Sequence, residues 1–301
     1  MKRLILASTA LAMMMGGAMA ADKFLVDMKG PGAGNPFWAA VEAGAMEKGK
    51  ELGVEVVVMS PPAESDVAAQ IAQIEDMITQ GLAGIALAPT DPNALAPVVD
   101  AAKAKNIPVV FVDTKGTNEG ITFIGTDNAA GAKLAADYIC GKIEKGSEVA
   151  ILQGIITQST GQARATGAKS GLEGCGLKVV AEQTGEWDRA KGQAAMENII
   201  TGNPNIKAVF ASNDNMALGA VEALKSAGKL ADVMVVGFDA NPDAAASVLA
   251  GEMTATVAQA PKNMGGFGIQ ALVDLKAGKT IEAVIDTGTV LVDKGNADQY
   301  K

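Results

Sequence analysis

The chain has 301 residues, of which 49% are hydrophobic and 20% are charged, a composition typical of a folded protein of about two domains. Lys and Arg total 25 against 34 Asp and Glu, a net charge of −9, and no basic cluster is present, which argues against nucleic acid as a partner. The chain contains no histidine, which excludes catalytic triads and metal sites that depend on one. No catalytic residue, metal or cofactor is predicted.

The first twenty residues are typical of a secretory signal peptide. Lys2 and Arg3 form a positive head, and an apolar run extends from 4 to 15. Small residues at 18–20 then match a signal-peptidase site, so cleavage after Ala20 is predicted. The apolar run is too short to span a bilayer, and we expect the mature protein to be exported and soluble.

Short apolar runs rich in β-branched residues alternate with Ala-rich segments of helical spacing. The first strands are predicted at 24–28, 54–58, 84–88 and 108–112. The same rhythm resumes after Gly125, with strands predicted at 149–152, 177–180, 208–210, 233–238 and 254–258. A helix at about 261–276 and two short segments at 283–287 and 289–292 end the chain. This alternation indicates an α/β fold of two lobes, each with a doubly wound parallel sheet.

Four Asn-Pro or Asp-Pro pairs predict helix starts, at 35–36, 91–92, 203–204 and 241–242. The first residue of each pair can cap a helix, and proline suits the first helical position.

Polar and aromatic side chains follow the predicted strands, at the end of a parallel sheet where ligands bind. They are Asn35, Phe37, Trp38, Asp113, Thr114, Asn213, Asp239 and Gln259, to which Arg164 and Trp187 of the second lobe are added. Carboxylates, amides and a guanidinium can bond vicinal hydroxyls, and aromatic rings can cover the C–H faces of a sugar. The pattern therefore predicts a site for a sugar or polyol.

Simpler interpretations remain open for single residues. Asn35 and Asn213 could serve only as helix caps, and Trp38 and Trp187 could be ordinary core aromatics. The Gly-rich segment 30–34 lacks the spacing of a dinucleotide-binding loop.

Cys140 and Cys175 are the only cysteines, and their spacing does not suit a metal site. Export to an oxidising compartment permits a disulfide between them, and two buried free thiols are the alternative.

Several stretches together carry a resemblance to a known family. They include Asn-Pro-Phe-Trp at 35–38, Gly-Ile-Ala-Leu-Ala-Pro-Thr-Asp at 84–91, Trp-Asp-Arg-Ala-Lys-Gly at 187–192, Asn-Asp-Asn-Met-Ala-Leu-Gly-Ala at 213–220 and Val-Met-Val-Val-Gly-Phe-Asp at 233–239. With them, nearly the whole mature chain resembles the periplasmic sugar-binding proteins of ABC importers, above all the ribose-binding group.

That resemblance implies a type I periplasmic binding protein with two lobes joined by three crossovers. The N-terminal lobe would be 21–126 plus 260–288, and the C-terminal lobe 127–259 plus 289–301. The implied ligand contacts are Asn35, Phe37, Trp38, Asp113, Arg164, Trp187, Asn213, Asp239 and Gln259. Where the ribose group has an arginine after the first aspartate, this chain has Thr114, so one charged contact is missing. This departure disfavours ribose and leaves another pentose, a hexose or a polyol.

The resemblance also implies a periplasmic monomer that hands a monosaccharide or polyol to a membrane permease and can engage a chemoreceptor. Two other functions are kept open. An exported sugar-processing enzyme could use Asp113 and Asp239 as an acid/base pair. The core of a sugar-sensing regulator would need an N-terminal DNA-binding module, where this chain has a signal peptide instead.

Overall fold

The computed structural model describes residues 21–301, so the predicted signal peptide and its cleavage site lie outside the described residues. The strands are β1 Lys23–Asp27, β2 Glu55–Met59, β3 Gly84–Leu87, β4 Val109–Val112, β5 Phe123–Gly125, β6 Glu148–Gln153, β7 Lys178–Thr184, β8 Ala208–Ala211, β9 Met234–Val236, β10 Ala255–Ala258, β11 Val284–Asp286 and β12 Val290–Asp293. The helices are α1 Pro36–Leu52, α2 Val67–Gln80, α3 Ala96–Ala104, α4 Asn128–Cys140, α5 Ser159–Gly174, α6 Arg189–Gly202, α7 Asp214–Ser226, α8 Pro242–Ala250 and α9 Pro261–Lys276. Within 21–301, every helix falls short of the length and apolar character that crossing a bilayer requires.

The strands form two six-stranded sheets. The first has the order β11-β5-β4-β3-β1-β2 and is parallel throughout. The second has the order β12-β10-β9-β8-β6-β7, and only its edge strand β12 runs antiparallel to its neighbour. The predicted fold of two α/β lobes built on doubly wound, mainly parallel sheets is confirmed.

The chain passes between the two sheets three times, at 126–127, 259–260 and 287–289. Two of these crossings are joined directly, because the Thr126 hydroxyl donates a hydrogen bond to Gln259 Oε1 over 2.6 Å. The short segments at the end of the sequence thus return to the first sheet as β11 and end on the second as β12. The exact lobe boundaries given above stay a prediction.

Apolar side chains cover both faces of each sheet, which explains why the strands are continuous apolar runs. Successive residues of a strand point to opposite faces. Val26 of β1 accordingly packs with Val110 on one face, whereas Leu25 packs with Ile85 and Phe111 on the other. The ends of these sheets are therefore held rigidly, and side chains that follow them are well positioned.

The helix-start predictions were right at two places and wrong at two. Asn35 caps α1 through its side chain, and Asn241 precedes α8, although its side chain makes no capping hydrogen bond. The Asp91 carboxylate accepts two backbone N–H groups in a turn, and α3 begins only at Ala96. Asn203 follows the last turn of α6, so this Asn-Pro pair ends a helix rather than beginning one.

Cys140, the last residue of α4, and Cys175, directly after α5, form a disulfide with Cα atoms 6.2 Å apart. The alternative of two free thiols is wrong. The bond closes a loop with a sequence separation of 35 residues. In the chain-entropy view such a loop closure stabilises the fold by about 4 kcal/mol.

Candidate ligand site between the lobes

A small cavity lies between the lobes, where side chains from both lobes meet. Its lining consists of Lys29, Asn35, Phe37, Trp38, Glu64, Asp113, Thr160, Arg164, Trp187, Asn213, Asp239 and Gln259. Nine of the ten residues predicted as ligand contacts are in this set. Their convergence follows from the fold, because the carboxyl ends of the parallel strands of each lobe face the cleft.

Thr114 is the predicted residue that the structure does not bring to the cavity wall. It is fully buried, and its hydroxyl donates a hydrogen bond to the Asp113 carboxylate over 2.7 Å. Its oxygen also lies 3.4 Å from the hydroxyl oxygen of Thr160 in the other lobe. Thr114 therefore orients the Asp113 carboxylate without lining the cavity itself.

Arg164, from α5, is buried and held by three groups of the second lobe. Its Nε donates to Asn128 Oδ1 over 2.7 Å, and its Nη1 donates to the Ser212 carbonyl over 2.8 Å. Its guanidinium carbon lies 3.8 Å from the centre of the Phe238 ring, which supports the planar group from one side. These contacts fix the guanidinium at the cavity and leave Nη2 free to donate to a ligand.

Asp239 faces Arg164 and completes an ion pair, with its Oδ1 3.5 Å from Arg164 Nη1. Gln259 Nε2 donates to the same carboxylate over 2.7 Å. Burial raises the pKa of Asp239 to about 7, although the Arg164 charge and the Gln259 hydrogen bond both favour the ionised form. A ligand hydroxyl that donates to this carboxylate would favour ionisation further.

Two tryptophans and a phenylalanine provide the aromatic part of the wall. The Phe37 and Trp38 rings meet edge to face, with their centroids 5.0 Å apart. Trp187 lies over Gly154, where an added Cβ atom would come within 2.1 Å of the indole ring. Glycine is therefore required at 154 for Trp187 to reach the cavity.

Lys29 lines the cavity but was missed by the strand-end interpretation, although it comes two residues after the end of β1. Its Nζ lies 3.2 Å from the Asp113 carboxylate and 3.7 Å from that of Glu64. The same ammonium lies within 6 Å of two indole rings, 5.7 Å from the centroid of Trp38 and 5.3 Å from that of Trp187. Thr114 supplies no charge at this position, and Lys29 places a second cation at the cavity wall, besides Arg164, from another strand end.

Glu64, in the loop after β2, was missed as well. Its carboxylate accepts a hydrogen bond from Trp38 Nε1 over 2.8 Å, which fixes the orientation of that ring. Burial raises the pKa of Glu64, and the nearby Lys29 charge opposes that rise. The cavity thus has three carboxylates, from Glu64, Asp113 and Asp239, and two cationic groups.

Three residues of the wall have left-handed backbone conformations that side-chain-bearing residues seldom adopt. The φ angles are 62° at Asp113, 66° at Trp187 and 124° at Asp239. Each such residue costs about 1–3 kcal/mol and persists where the surrounding structure enforces it, most often at functional sites. The coincidence of strain with this cavity makes it a candidate functional site.

The two asparagines combine a capping role with a place in the wall. Asn35 Oδ1 accepts from the Phe37 N–H over 3.2 Å, and Asn213 Oδ1 accepts from the Met216 N–H over 2.9 Å. Asn213 Nδ2 also donates to the Trp187 carbonyl over 3.1 Å. Capping and ligand binding are compatible at both positions.

Among the residues from 21 onward, no group of acidic or cysteine side chains is arranged to hold a metal ion. The site instead offers paired carboxylates, a guanidinium, an ammonium, amides and aromatic faces. That set can form many hydrogen bonds with a small neutral molecule rich in hydroxyl groups.

Comparisons with known proteins agree with this chemistry. Residues 28–280 match the family described as periplasmic binding protein domain. The ribose import binding protein of Bacillus subtilis is 38% identical over 252 residues, covering 83% of this chain and 81% of the relative. The D-allose-binding periplasmic protein of Escherichia coli is 38% identical over 276 residues, covering 88% of each. A solute-binding protein of a carbohydrate transporter from Agrobacterium radiobacter, solved with D-arabinose, is 33% identical with a TM-score of 0.86, covering 93% of this chain and 96% of that one.

Proposed function

Because the chain belongs to the periplasmic binding protein domain family, we propose that it captures a monosaccharide or polyol between its lobes and delivers it to the permease of an ABC importer. The observation that carries this function is the buried arrangement of Asp113, Arg164 and Asp239 beside two tryptophan faces in one cavity. Charged groups buried at a cavity wall bind a polar ligand strongly, because water no longer competes for them.

The ligand class is a single pentose, hexose or polyol. The relatives are named for ribose and allose, and a similar solved structure holds arabinose. The space between the side chains that line the cavity is small, which favours one sugar ring over a longer saccharide. Lys29 beside Asp113 restores the cation that Thr114 does not provide, so ribose stays among the candidates.

The site acts by binding rather than by catalysis. Asp113 is held by Lys29 and Thr114, and Asp239 is held by Arg164 and Gln259. Both carboxylates are thereby arranged as fixed acceptors for sugar hydroxyls. We expect the bound sugar to be released unchanged, which an NMR spectrum of the mixture over several hours would establish.

Closure of the two lobes on the sugar would create a composite surface for the permease. Ligand contacts come from both lobes, so the sugar favours the closed state over an open one. Export through the signal peptide, with cleavage after Ala20, would bring the mature monomer to the periplasm. A chemoreceptor is a further expected partner of the same closed form.

The test is a thermal-shift screen of the mature protein against D-ribose, D-allose, D-arabinose, other pentoses and hexoses, and polyols such as myo-inositol. A ligand at 100 times its dissociation constant stabilises a protein by about 2.7 kcal/mol. At least one member of the panel should raise the melting temperature by several degrees, with amino acids as a negative control. A panel without any stabilising sugar or polyol would refute the proposed function.

A further inference from the structure

Gln158 occupies the N-cap position of α5 but does not cap that helix. Glutamine is not among the preferred N-cap residues, which are Ser, Thr, Asp and Asn. Its side chain is fully buried and is directed away from its own helix, toward the first lobe. The side chain therefore forms no capping hydrogen bond, and its amide bonds groups outside α5 instead.

The Gln158 amide forms four hydrogen bonds, and three of them reach the other lobe. Its Oε1 accepts from Lys29 Nζ over 3.0 Å and from Trp187 Nε1 over 2.9 Å. Its Nε2 donates to the carbonyls of Glu64, over 3.2 Å, and Thr90, over 2.9 Å. Both N–H donors and both acceptor positions of the amide are occupied.

Three of these four partners, Lys29, Glu64 and Trp187, line the ligand cavity. Gln158 itself is not part of the lining. It therefore contacts the groups that touch the sugar rather than the sugar itself.

On the first lobe, Gln158 meets a rigid support. The backbone N–H and the hydroxyl of Thr90 both donate to Gln70 Oε1 over 2.7 Å. Gln70 Nε2 in turn donates to the Asp27 carboxylate over 2.7 Å. This buried network fixes the Thr90 carbonyl, so the bond from Gln158 ties the second lobe to an immobile part of the first.

The two residues after Gln158 also form hydrogen bonds with the first lobe across the cleft, so 158–160 is a continuous contact segment. Ser159 Oγ accepts from the Lys115 N–H over 2.9 Å, and Thr160 Oγ1 accepts from Lys29 Nζ over 3.3 Å. Gln158 is the buried centre of this segment, and its three bonds to the first lobe require the lobes to be closed.

From these contacts we propose that Gln158 is a positioning residue that holds Lys29 from across the cleft and Trp187 from within its own lobe, and that keeps the lobes closed on the sugar. The inference rests on the proposed sugar-binding function. Loss of the Gln158 hydrogen bonds is expected to change the rate at which the sugar is released. Because the three bonds to the first lobe form on closure, their loss accelerates opening and sugar release, and it has little effect on the first encounter of the sugar with the open protein.

The experiment compares Gln158→Leu and Gln158→Glu with the unmutated protein and with Gln162→Leu. Gln162 is an exposed residue of the same helix and provides a matched control. Leu has nearly the shape of Gln but removes all four bonds. Glu keeps the acceptors for Lys29 and Trp187 and loses the donors to the first lobe, so it carries the test if the Leu variant does not fold.

The probe is the panel sugar, among D-ribose, D-allose and D-arabinose, that stabilises the unmutated protein. Stopped-flow tryptophan fluorescence gives its association and dissociation rates, and thermal unfolding is recorded without sugar. We expect dissociation at least tenfold faster in both Gln158 variants, association changed by less than about threefold, and an unliganded melting temperature close to that of the control.

Dissociation rates equal to those of the control would overturn the inference while leaving the proposed function intact. A lowered unliganded melting temperature with unchanged dissociation would overturn it as well, because it would reveal a packing role within the second lobe. If none of the three sugars binds, the inference fails together with its premise, and this outcome is recognised before any variant is made.

Discussion

Substitution of Lys29 by Met tests whether this residue, which the sequence did not predict as a contact, belongs to the ligand site. Met has a similar length but no charge, so Asp113 and Glu64 lose the cation that lies 3.2 and 3.7 Å from their carboxylates. Two buried carboxylates would then lie near each other without compensation, and at least one would bind a proton. We expect the ammonium to donate to a sugar hydroxyl in the complex, and that bond would be lost as well.

The expected effect follows from the value of one charge-assisted hydrogen bond. Such a bond contributes about 1.5–3 kcal/mol, which corresponds to a roughly 10- to 100-fold weaker affinity. Removal of one member of a buried ion pair also lowers stability, because the remaining charge is left unpaired. The free energy of unfolding of the unliganded protein should therefore fall by about 1–3 kcal/mol.

The assay is isothermal titration calorimetry with the stabilising sugar, together with urea unfolding in its absence. Lys133→Met is the matched control, because Lys133 is exposed and forms an i,i+4 pair with Asp137 that contributes little. The control should retain the affinity and the stability of the unmutated protein. A Lys29→Met protein that binds the sugar as tightly as the control would refute the assignment of Lys29 to the site.

Three further outcomes are expected. Burial raises the pKa of Asp27 to about 7, so the group contributes most to stability below about pH 4 and loses this contribution as the pH rises to about 7. Asp27→Asn should therefore remove up to ~4 kcal/mol of the pH dependence of the free energy of unfolding, measured in urea. An unchanged pH dependence would contradict the raised pKa. Gly154→Ala should displace the Trp187 ring, because the added methyl group would overlap it. Sugar binding should weaken at least about tenfold, and the tryptophan emission maximum should shift. Normal affinity and emission would show that the ring tolerates the alanine methyl group. Reduction of the Cys140–Cys175 disulfide should lower the free energy of unfolding by up to about 4 kcal/mol without changing the affinity for the sugar. Two titratable thiols in the denatured protein, before any reduction, would contradict the disulfide.

Much of the fold could be predicted from the sequence because buried parallel strands are apolar on both faces. Runs such as 84–88 and 208–210 therefore stood out, and each overlaps a strand. β5 was missed, since a strand of three residues, Phe123–Gly125, gives no periodic pattern. The Asp-Pro pair at 91–92 was misleading, since a capping side chain satisfies a turn as well as a helix.

The candidate site was predictable where its residues follow strands or carry unusual side chains. The same rule could have found Lys29, which comes two residues after the end of β1, and Glu64, which is in the loop after β2. Gln158 gave almost no signal, because its role depends on how the two lobes meet. Only its unfavourable place at the start of α5 hinted that the side chain was used for something other than capping.

The central claim is that one sugar binds in the cavity between the lobes. A crystal structure of the mature protein with the sugar that stabilises it most tests this claim directly. The sugar should lie against Trp38 and Trp187, with its hydroxyls within hydrogen-bond distance of Asp113, Arg164 and Asp239. A sugar bound at saturation anywhere outside this cavity would contradict the account.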